Sequence, residues 1–270
     1  VTSISNPLIK DLKALALKKY RDQAGLFLIE GQKLVTDALE TGWNVRTLIH
    51  AKKAFEDEKL KEQVEALAAR VRARGGDVLI VSDKILTSIT RRDNAQMVIA
   101  VLEQKTGAPD TISPKGNDVW LALDRVRDPG NLGTIVRTAD ALGAKGVLLV
   151  GETTDPFALE AVRATMGSLF HVPLIRTSAE DFITFAKKWR DAFSGRVTGT
   201  HLKGAVDHRS IDYTQGPQLL LMGNEQQGLT EELAASCDQL ALIAMDGAAD
   251  SLNLAIATGI MLFEARRHAL

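Results

Sequence analysis

Two series of short apolar runs lie along the chain, each interrupted by stretches of helical period. In the first series, "LFLIE" (26–30), "VRTLIHA" (45–51), "DVLIVS" (77–82) and "AQMVIAVLE" (95–103) have the length and side-chain types of buried strands. Between the second and third runs, Leu60, Val64, Leu67, Ala68 and Val71 fall on one face of a helix. Gly75–Gly76 ends that helix in the manner of a C-cap. Residues 1–103 therefore read as a small α/β sandwich. The period then breaks. "EQKTGAPDTISPKGND" (103–118) sets two prolines and two glycines among polar residues, and this composition predicts a linker over 104–117.

The second series occupies 118–270. Strands are expected at "VWLALD" (119–124), "GVLLVG" (146–151), "HVPLI" (171–175), "GRVTGTHL" (195–202), "QLLLMG" (218–223) and "QLALIAM" (239–245), with helical patterns between most of them. "SLNLAIATGIMLFEARRHAL" closes the chain as a helix with apolar residues on more than one face. Continuously apolar strands separated by helices imply a largely parallel sheet covered on both sides. Ligands of such sheets sit at the carboxyl ends of strands, so chemistry is sought in the loops after Asp124, Gly223 and Met245.

Composition narrows the classes. Hydrophobic residues make up 45% and charged residues 25%, as in an ordinary globular protein. No run approaches a membrane span, and the first residues lack the apolar core of a signal peptide. One cysteine, Cys237, and five scattered histidines predict neither a disulfide framework nor a metal site, and they fit a cytoplasmic protein. Net charge is −1, but residues 1–103 carry 17 basic against 14 acidic side chains. Lys18, Lys19 and Arg21 form part of a basic cluster, which suits either a solvated helix face or an RNA-facing surface.

Three strand-end loops hold unusual residues. In "LDRVRDPGNLGTIVRTADALGA" (123–144), a Pro-Gly turn leads into a helix that Asn131 is placed to cap, with Arg125, Arg127 and Arg137 around it as phosphate ligands. Neither nucleotide fingerprint is present, which argues against a dinucleotide-dependent enzyme. "LMGNEQQGLT" (221–230) places Glu225 between Gly223 and Gly228, where a plain turn has no need of it and where it is set either to cap the following helix or to fix the first loop's arginines. In "LIAMDGAADSLNLAIATGIMLFEA" (242–265), Ser251 reads either as the N-cap or as a site residue, and Asn253 falls two residues further on, inside the expected helix, for which Asn is a poor former.

Together, "DPGNLGTIVRTADALGA", "LLLMGNEQQGLT" and "SLNLAIATGIMLFEA" resemble the three ordered motifs of the SpoU (TrmH-like) RNA ribose 2′-O-methyltransferases of the SPOUT superfamily. "VRATMGSLFHVPL" (162–174) is similar to the segment those enzymes carry between the first two motifs. "NPLIKDLKALALKKYRDQAGLFLIEGQKLV" resembles the L30e-like RNA-binding domain that precedes many of them. The resemblance implies an L30e-like domain at 1–103 and a SPOUT domain at 118–270, with a deep trefoil knot enclosing S-adenosylmethionine. It implies that Gly223, Asn224, Gly228, Ile243, Met245, Leu252 and Asn253 lie against the cofactor. It places Asn131, Arg137, Glu225, Ser251 and Asn253 at the active site, and it implies a homodimer in which Arg137 serves the partner's cofactor. Ala244 and Ala255 depart from residues common in the family, a proline and a serine. The implied acceptor is RNA, by analogy ribosomal RNA before transfer RNA; a silent RNA-binding homologue is the alternative. Family proposals make the arginine a general base. A guanidinium is a poor base at neutral pH, so the expectation here is that Arg137 stays charged and stabilises the developing alkoxide.

Overall fold

The first four apolar runs pair into one sheet. In the computed structural model, which describes residues 3, 5–92, 95–202 and 205–270, the first part of the chain runs α1 (Pro7–Ala14), α2 (Lys18–Ala24), β1 (Leu26–Glu30), α3 (Gln32–Glu40), β2 (Val45–Ala51), α4 (Glu58–Ala73), β3 (Asp77–Val81), α5 (Asp83–Thr90) and β4 (Val98–Glu103). The strand order is β1-β4-β2-β3, with β4 antiparallel to both neighbours and β2 parallel to β3. Helices α1 and α5 cover one face through Ile9, Leu12, Ile85 and Ile89, packed on Leu28, Ile49 and Ile99. Helices α3 and α4 cover the other. Val64, Leu67, Ala68 and Val71 of α4 are buried as their spacing predicts. Gly75 adopts φ +81°, and the amides of Gly75 and Gly76 donate to the carbonyls of Arg72 and Val71, which closes the helix in a Schellman motif.

The second part runs β5 (Val119–Asp124), α6 (Pro129–Ala141), β6 (Val147–Val150), α7 (Leu159–Thr165), β7 (Leu174–Thr177), α8 (Ala179–Phe193), β8 (Arg196–Thr200), β9 (Val206–Asp207), β10 (Gln218–Met222), α9 (Glu231–Ala235), β11 (Gln239–Leu242) and α10 (Leu254–Arg266). Seven strands form one sheet in the order β7-β6-β5-β10-β8-β11-β9, and every pairing is parallel. Phe182, Phe185 and Trp189 of α8 pack on Trp120, Leu148, Leu219 and Leu221 on one face, while α6 and α10 lie together on the other. From β5 the sheet grows one way to β6 and β7 and the other way to β10 and β8. The direction reverses between β5 and β10, and their carboxyl ends flank a crevice of the kind that binds ligands in such sheets. Among the described residues, no helix is long and apolar enough to cross a membrane.

Several expectations shift. The strand expected at 239–245 ends at Leu242, and the one expected at 171–175 occupies Leu174–Thr177, beyond Pro173. Residues 104–117 are not an open tether. Gly107 bridges Ile175, a short 3-10 turn covers Pro109–Thr111, and Ile112 is buried in the core under α8.

Residues 1–104 form one compact unit together with residues 155–170, which lie between β6 and β7 in sequence; the remainder forms the second. Within the first unit, Phe157 and Phe170 join Phe27 and Trp43 in a chain of ring contacts 4.8–5.9 Å apart. Arg163 makes a bidentate pair with the buried Glu30. Arg21, expected on an RNA surface, is only 4% exposed. Its Nε and Nη2 contact Asp155 Oδ2 at 2.8 and 2.7 Å, and Nη1 donates to the Leu15 carbonyl at 2.8 Å. Arg21 is therefore an internal strut, since a buried cation needs its counter-charge. Lys18 and Lys19 remain exposed.

Arg21→Ala removes the guanidinium that contacts the buried Asp155 carboxylate, which also accepts from the Phe157 amide. Urea unfolding should show a loss of about 3–5 kcal/mol. A stable variant with weakened RNA binding would return Arg21 to the RNA surface.

Candidate active site

The loop after β5 opens with two residues that serve each other. Asp124 ends the strand almost fully buried. Arg125 takes the left-handed conformation (φ +46°), an uncommon state for a residue with a side chain. Its Nε and Nη2 each donate to Asp124 at 2.9 Å, and Nη1 donates to Gln227 Oε1 at 2.9 Å. Hydrogen bonding to Asp124 raises the guanidinium's pKa further. This ionic fork occupies the side chain expected to hold a phosphate. Asn131 does not cap α6 either. Asp128 does, accepting from the Asn131 amide at 2.6 Å, with Pro129 at the first helical position. Asn131 sits on the first turn, its side chain free of the cap.

The loop after β10 is folded by Asn224. Its amide and carbonyl exchange hydrogen bonds with Gly228 at 3.1 and 3.0 Å. Its Oδ1 accepts from the amides of Gln226 and Gln227, and its Nδ2 donates to the Arg125 carbonyl at 2.9 Å. Gly228 supplies the positive φ (+66°) that the return needs. Gly223 is required for a different reason. A Cβ there would lie 2.7 Å from the carbonyl carbon of Gly228 and the nitrogen of Leu229. Glu225, between the glycines, accepts from the Arg127 amide at 3.4 Å and so faces the first loop's backbone rather than its guanidinium groups.

The loop after β11 leads into α10, and Asn253, not Ser251, is the cap. Asn253 Oδ1 accepts from the amides of Ala255 (2.9 Å) and Ile256 (3.3 Å). A carboxamide held this way must turn its Nδ2 outward. That group donates to Asn131 Oδ1 at 3.0 Å. The orientation of Asn131 is thereby fixed as well: its oxygen is engaged and its Nδ2 remains a free pair of donors. Ser251 contacts Asp250 Oδ1 at 3.4 Å, within the exposed loop.

These loops enclose a cavity of about 600 Å³ bounded by Arg125, Arg127, Asp128, Asn131, Asn224, Glu225, Gln226, Gln227 and Asn253. Of the residues singled out from sequence, Arg125, Arg127, Asn131, Asn224, Glu225 and Asn253 thus come together. Gly223, Gly228, Ile243, Met245, Ser251 and Leu252 lie outside its wall, in the loops after β10 and β11. Arg137 is outside too. It is six residues beyond Asn131 on α6, so roughly 9 Å along the axis and about 120° around it. It is exposed, and among the described residues it has no hydrogen bond or ion pair within the chain. Asp128, Gln226 and Gln227 were not anticipated in the wall. Thr200 was also missed; its Oγ1 accepts from the Gly223 amide at 3.2 Å. Asp128 alone had a sequence signal, a capping residue directly before proline.

Residues 118–263 match the SpoU rRNA Methylase family, and residues 6–100 match the MRM3-like substrate binding domain. The chain belongs to the SpoU rRNA methylase family. Among solved SpoU-like structures, an AdoMet-bound rRNA methyltransferase from Sinorhizobium meliloti is 56% identical, covers 100% of this chain and 98% of its own, and superposes with a TM-score of 0.93. The 23S rRNA (uridine(2479)-2′-O)-methyltransferase of Streptomyces viridochromogenes is 33% identical across 95% of this chain and 88% of its own length. The 23S rRNA (guanosine(2553)-2′-O)-methyltransferase RlmP of Bacillus subtilis is 30% identical across 98% of each.

The crowding at Gly223 has a measurable consequence. Gly223→Ala should destabilise the protein by roughly 1–3 kcal/mol, as overpacking does, and should speed amide exchange at Gly228, whose hydrogen bond closes the loop. An unchanged melting temperature with normal exchange would show that the loop absorbs the methyl group.

Proposed function

We propose that this SpoU methylase transfers a methyl group from S-adenosylmethionine to the 2′-hydroxyl of a ribose in large-subunit ribosomal RNA. The observation that carries the reading is the Asn131–Asn253 pair, which leaves an oriented donor in a cavity at the switch point of a parallel sheet. The named relatives act on ribose 2′ positions of 23S rRNA. This reading places the enzyme in the cytoplasm with its RNA.

The chain's residues fit the cofactor. Strands β10, β8 and β11 are adjacent and parallel, so the loops that follow them emerge side by side. Half-buried Ile243 and the exposed side chains of Met245 and Leu252 give apolar walls to a loop otherwise rich in alanine and aspartate, as an adenine ring requires. When bound, S-adenosylmethionine supplies an electrophilic methyl group on a positively charged sulfur. The protein must hold the ribose oxygen in line and stabilise it as its proton passes to solvent water. Positioning of this kind lowers a barrier by up to roughly 7–11 kcal/mol. Asn131 Nδ2 can donate to an oxygen but cannot remove a proton. Arg137 supplies the charge that stabilises the developing alkoxide, and Arg127, exposed at the cavity wall, holds a flanking phosphate. Lys18 and Lys19 extend the phosphate contacts in the first unit.

Arg137 lies too far around α6 to serve the cavity of its own chain, so we propose a homodimer with crossed sites. Ile256, Ile260 and Phe263 form an apolar stripe on α10, and Ile256 and Phe263 are 56% and 54% exposed. Helices α6 and α10 meet where Gly259 faces Thr138, so Arg137 lies beside that surface. A self-complementary face of this kind brings one subunit's arginine to the other's cofactor loops.

Two measurements test the reading. RNA with a single 2′-deoxy substitution at the target should bind but accept no methyl group, because the attacking atom is gone; continued methylation would exclude ribose chemistry. Arg137→Ala and Leu252→Asp homodimers should each be inactive, the first lacking the arginine and the second a cofactor contact. Heterodimers of the two should regain one working site. No recovery in proven heterodimers would sink the crossed arrangement.

A further inference from the structure

We propose that Gln226 reads the base of the nucleotide being methylated, an assignment that rests on the ribose-methylation reading above. A cavity of about 600 Å³ has room for one nucleoside. Its polar groups fall into two sets once their internal bonds are counted. Asn224 is fully engaged in shaping its loop. Arg125 is clamped on Asp124, and it holds Gln227 by the side-chain oxygen. Asp128 caps α6, Glu225 accepts from the Arg127 amide, and Asn253 caps α10 while orienting Asn131.

Gln226 is different. Its backbone is held by the hydrogen bond from its amide to Asn224 Oδ1 at 3.0 Å, so its Cα is fixed relative to the cavity. Its side-chain amide is exposed and, among the described residues, has no partner within the chain. The group is uncharged and offers donors and an acceptor side by side. A phosphate is better matched by Arg127 and a ribose oxygen by Asn131. The edge of an unpaired base presents donors and acceptors in adjacent positions, and single-stranded RNA is read through those edges. Relatives of the same fold act on a uridine in one case and a guanosine in another. Base choice in this fold therefore belongs to side chains that the scaffold leaves free, and Gln226 is such a side chain at the wall of the site.

The test uses an unmodified transcript of the host's large-subunit rRNA, tritiated S-adenosylmethionine and the full-length enzyme. The methylated nucleotide is mapped, and three further transcripts carry the other bases at that position. Wild type should prefer the native base. Gln226→Ala should lower kcat/KM for the native transcript about tenfold or more, as loss of a bidentate base contact does, with little change for the other three, so that discrimination collapses. Gln226→Glu keeps the acceptor and loses the donors, and should lose discrimination in the same direction. S-adenosylmethionine affinity, measured by calorimetry, should be unaltered in both variants. An equal fall on all four transcripts, unchanged discrimination, or weakened cofactor binding would overturn the assignment. A wild type that methylates the ribose without base preference would overturn it and leave the proposed reaction standing. A wild type that places no methyl group on ribose would overturn both.

Discussion

A helix must satisfy its first amides, and at the start of α10 the side-chain oxygen of Asn253 takes two of them. Caps of this sort are worth about 1 kcal/mol to a helix, a modest amount. Its larger effect here is directional. With the oxygen fixed, the amide nitrogen of Asn253 can only face Asn131, and Asn131 in turn can only offer donors to whatever enters the cavity. The polarity of the site is thus set by a backbone requirement 122 residues away in sequence from the group it orients. Carboxamide orientation is usually ambiguous; a capping bond removes the ambiguity.

The loops themselves are bound to each other across the switch point. Arg125 holds the loop after β10 through Gln227, while Asn224 returns a bond to the Arg125 carbonyl. Arg125 does this from the left-handed conformation, which costs on the order of 1–3 kcal/mol and persists where surrounding bonds over-determine it. The bidentate contact with buried Asp124 and the engagement of Gln227 supply that over-determination. The backbone of both loops is thus held in place, and among the described residues of the cavity wall the side chains of Gln226 and Arg127 and the amide nitrogens of Asn131 and Gln227 are left to address a ligand.

Much of this was legible in the sequence, and what was not has a common physical cause. Runs such as 26–30 and 119–124 fall on their strands because nearly continuous apolarity leaves a buried extended segment few alternatives. The Gly75–Gly76 stop was readable because the left-handed residue it supplies is a local need. Asn131, Glu225 and Asn253 were picked out as site residues, and they meet in one cavity. Errors arose where a residue's state depends on a distant partner. Arg21 reads as a surface cation until Asp155 is known to lie against it. Arg125 reads as a phosphate ligand until Asp124 turns out to face back toward it. Both caps lie near the residue favoured on local propensity but not at it: Asp128 is three residues before Asn131, and Asn253 two residues after Ser251.

The excursion of residues 155–170 bears on how the protein is born. The first unit draws Asp155, Phe157, Arg163 and Phe170 from a stretch that follows β6. While the ribosome has made only residues 1–104, Arg21 lacks its Asp155 counter-charge, Glu30 has Arg92 at 3.8 Å but not the closer bidentate contact of Arg163, and Phe27 lacks one of its ring neighbours. At ~5–20 residues per second, residue 170 emerges roughly 3–13 s later. Vectorial synthesis therefore does not finish one unit before starting the next. The nascent amino-terminal half waits, incompletely neutralised, until part of its partner has been translated.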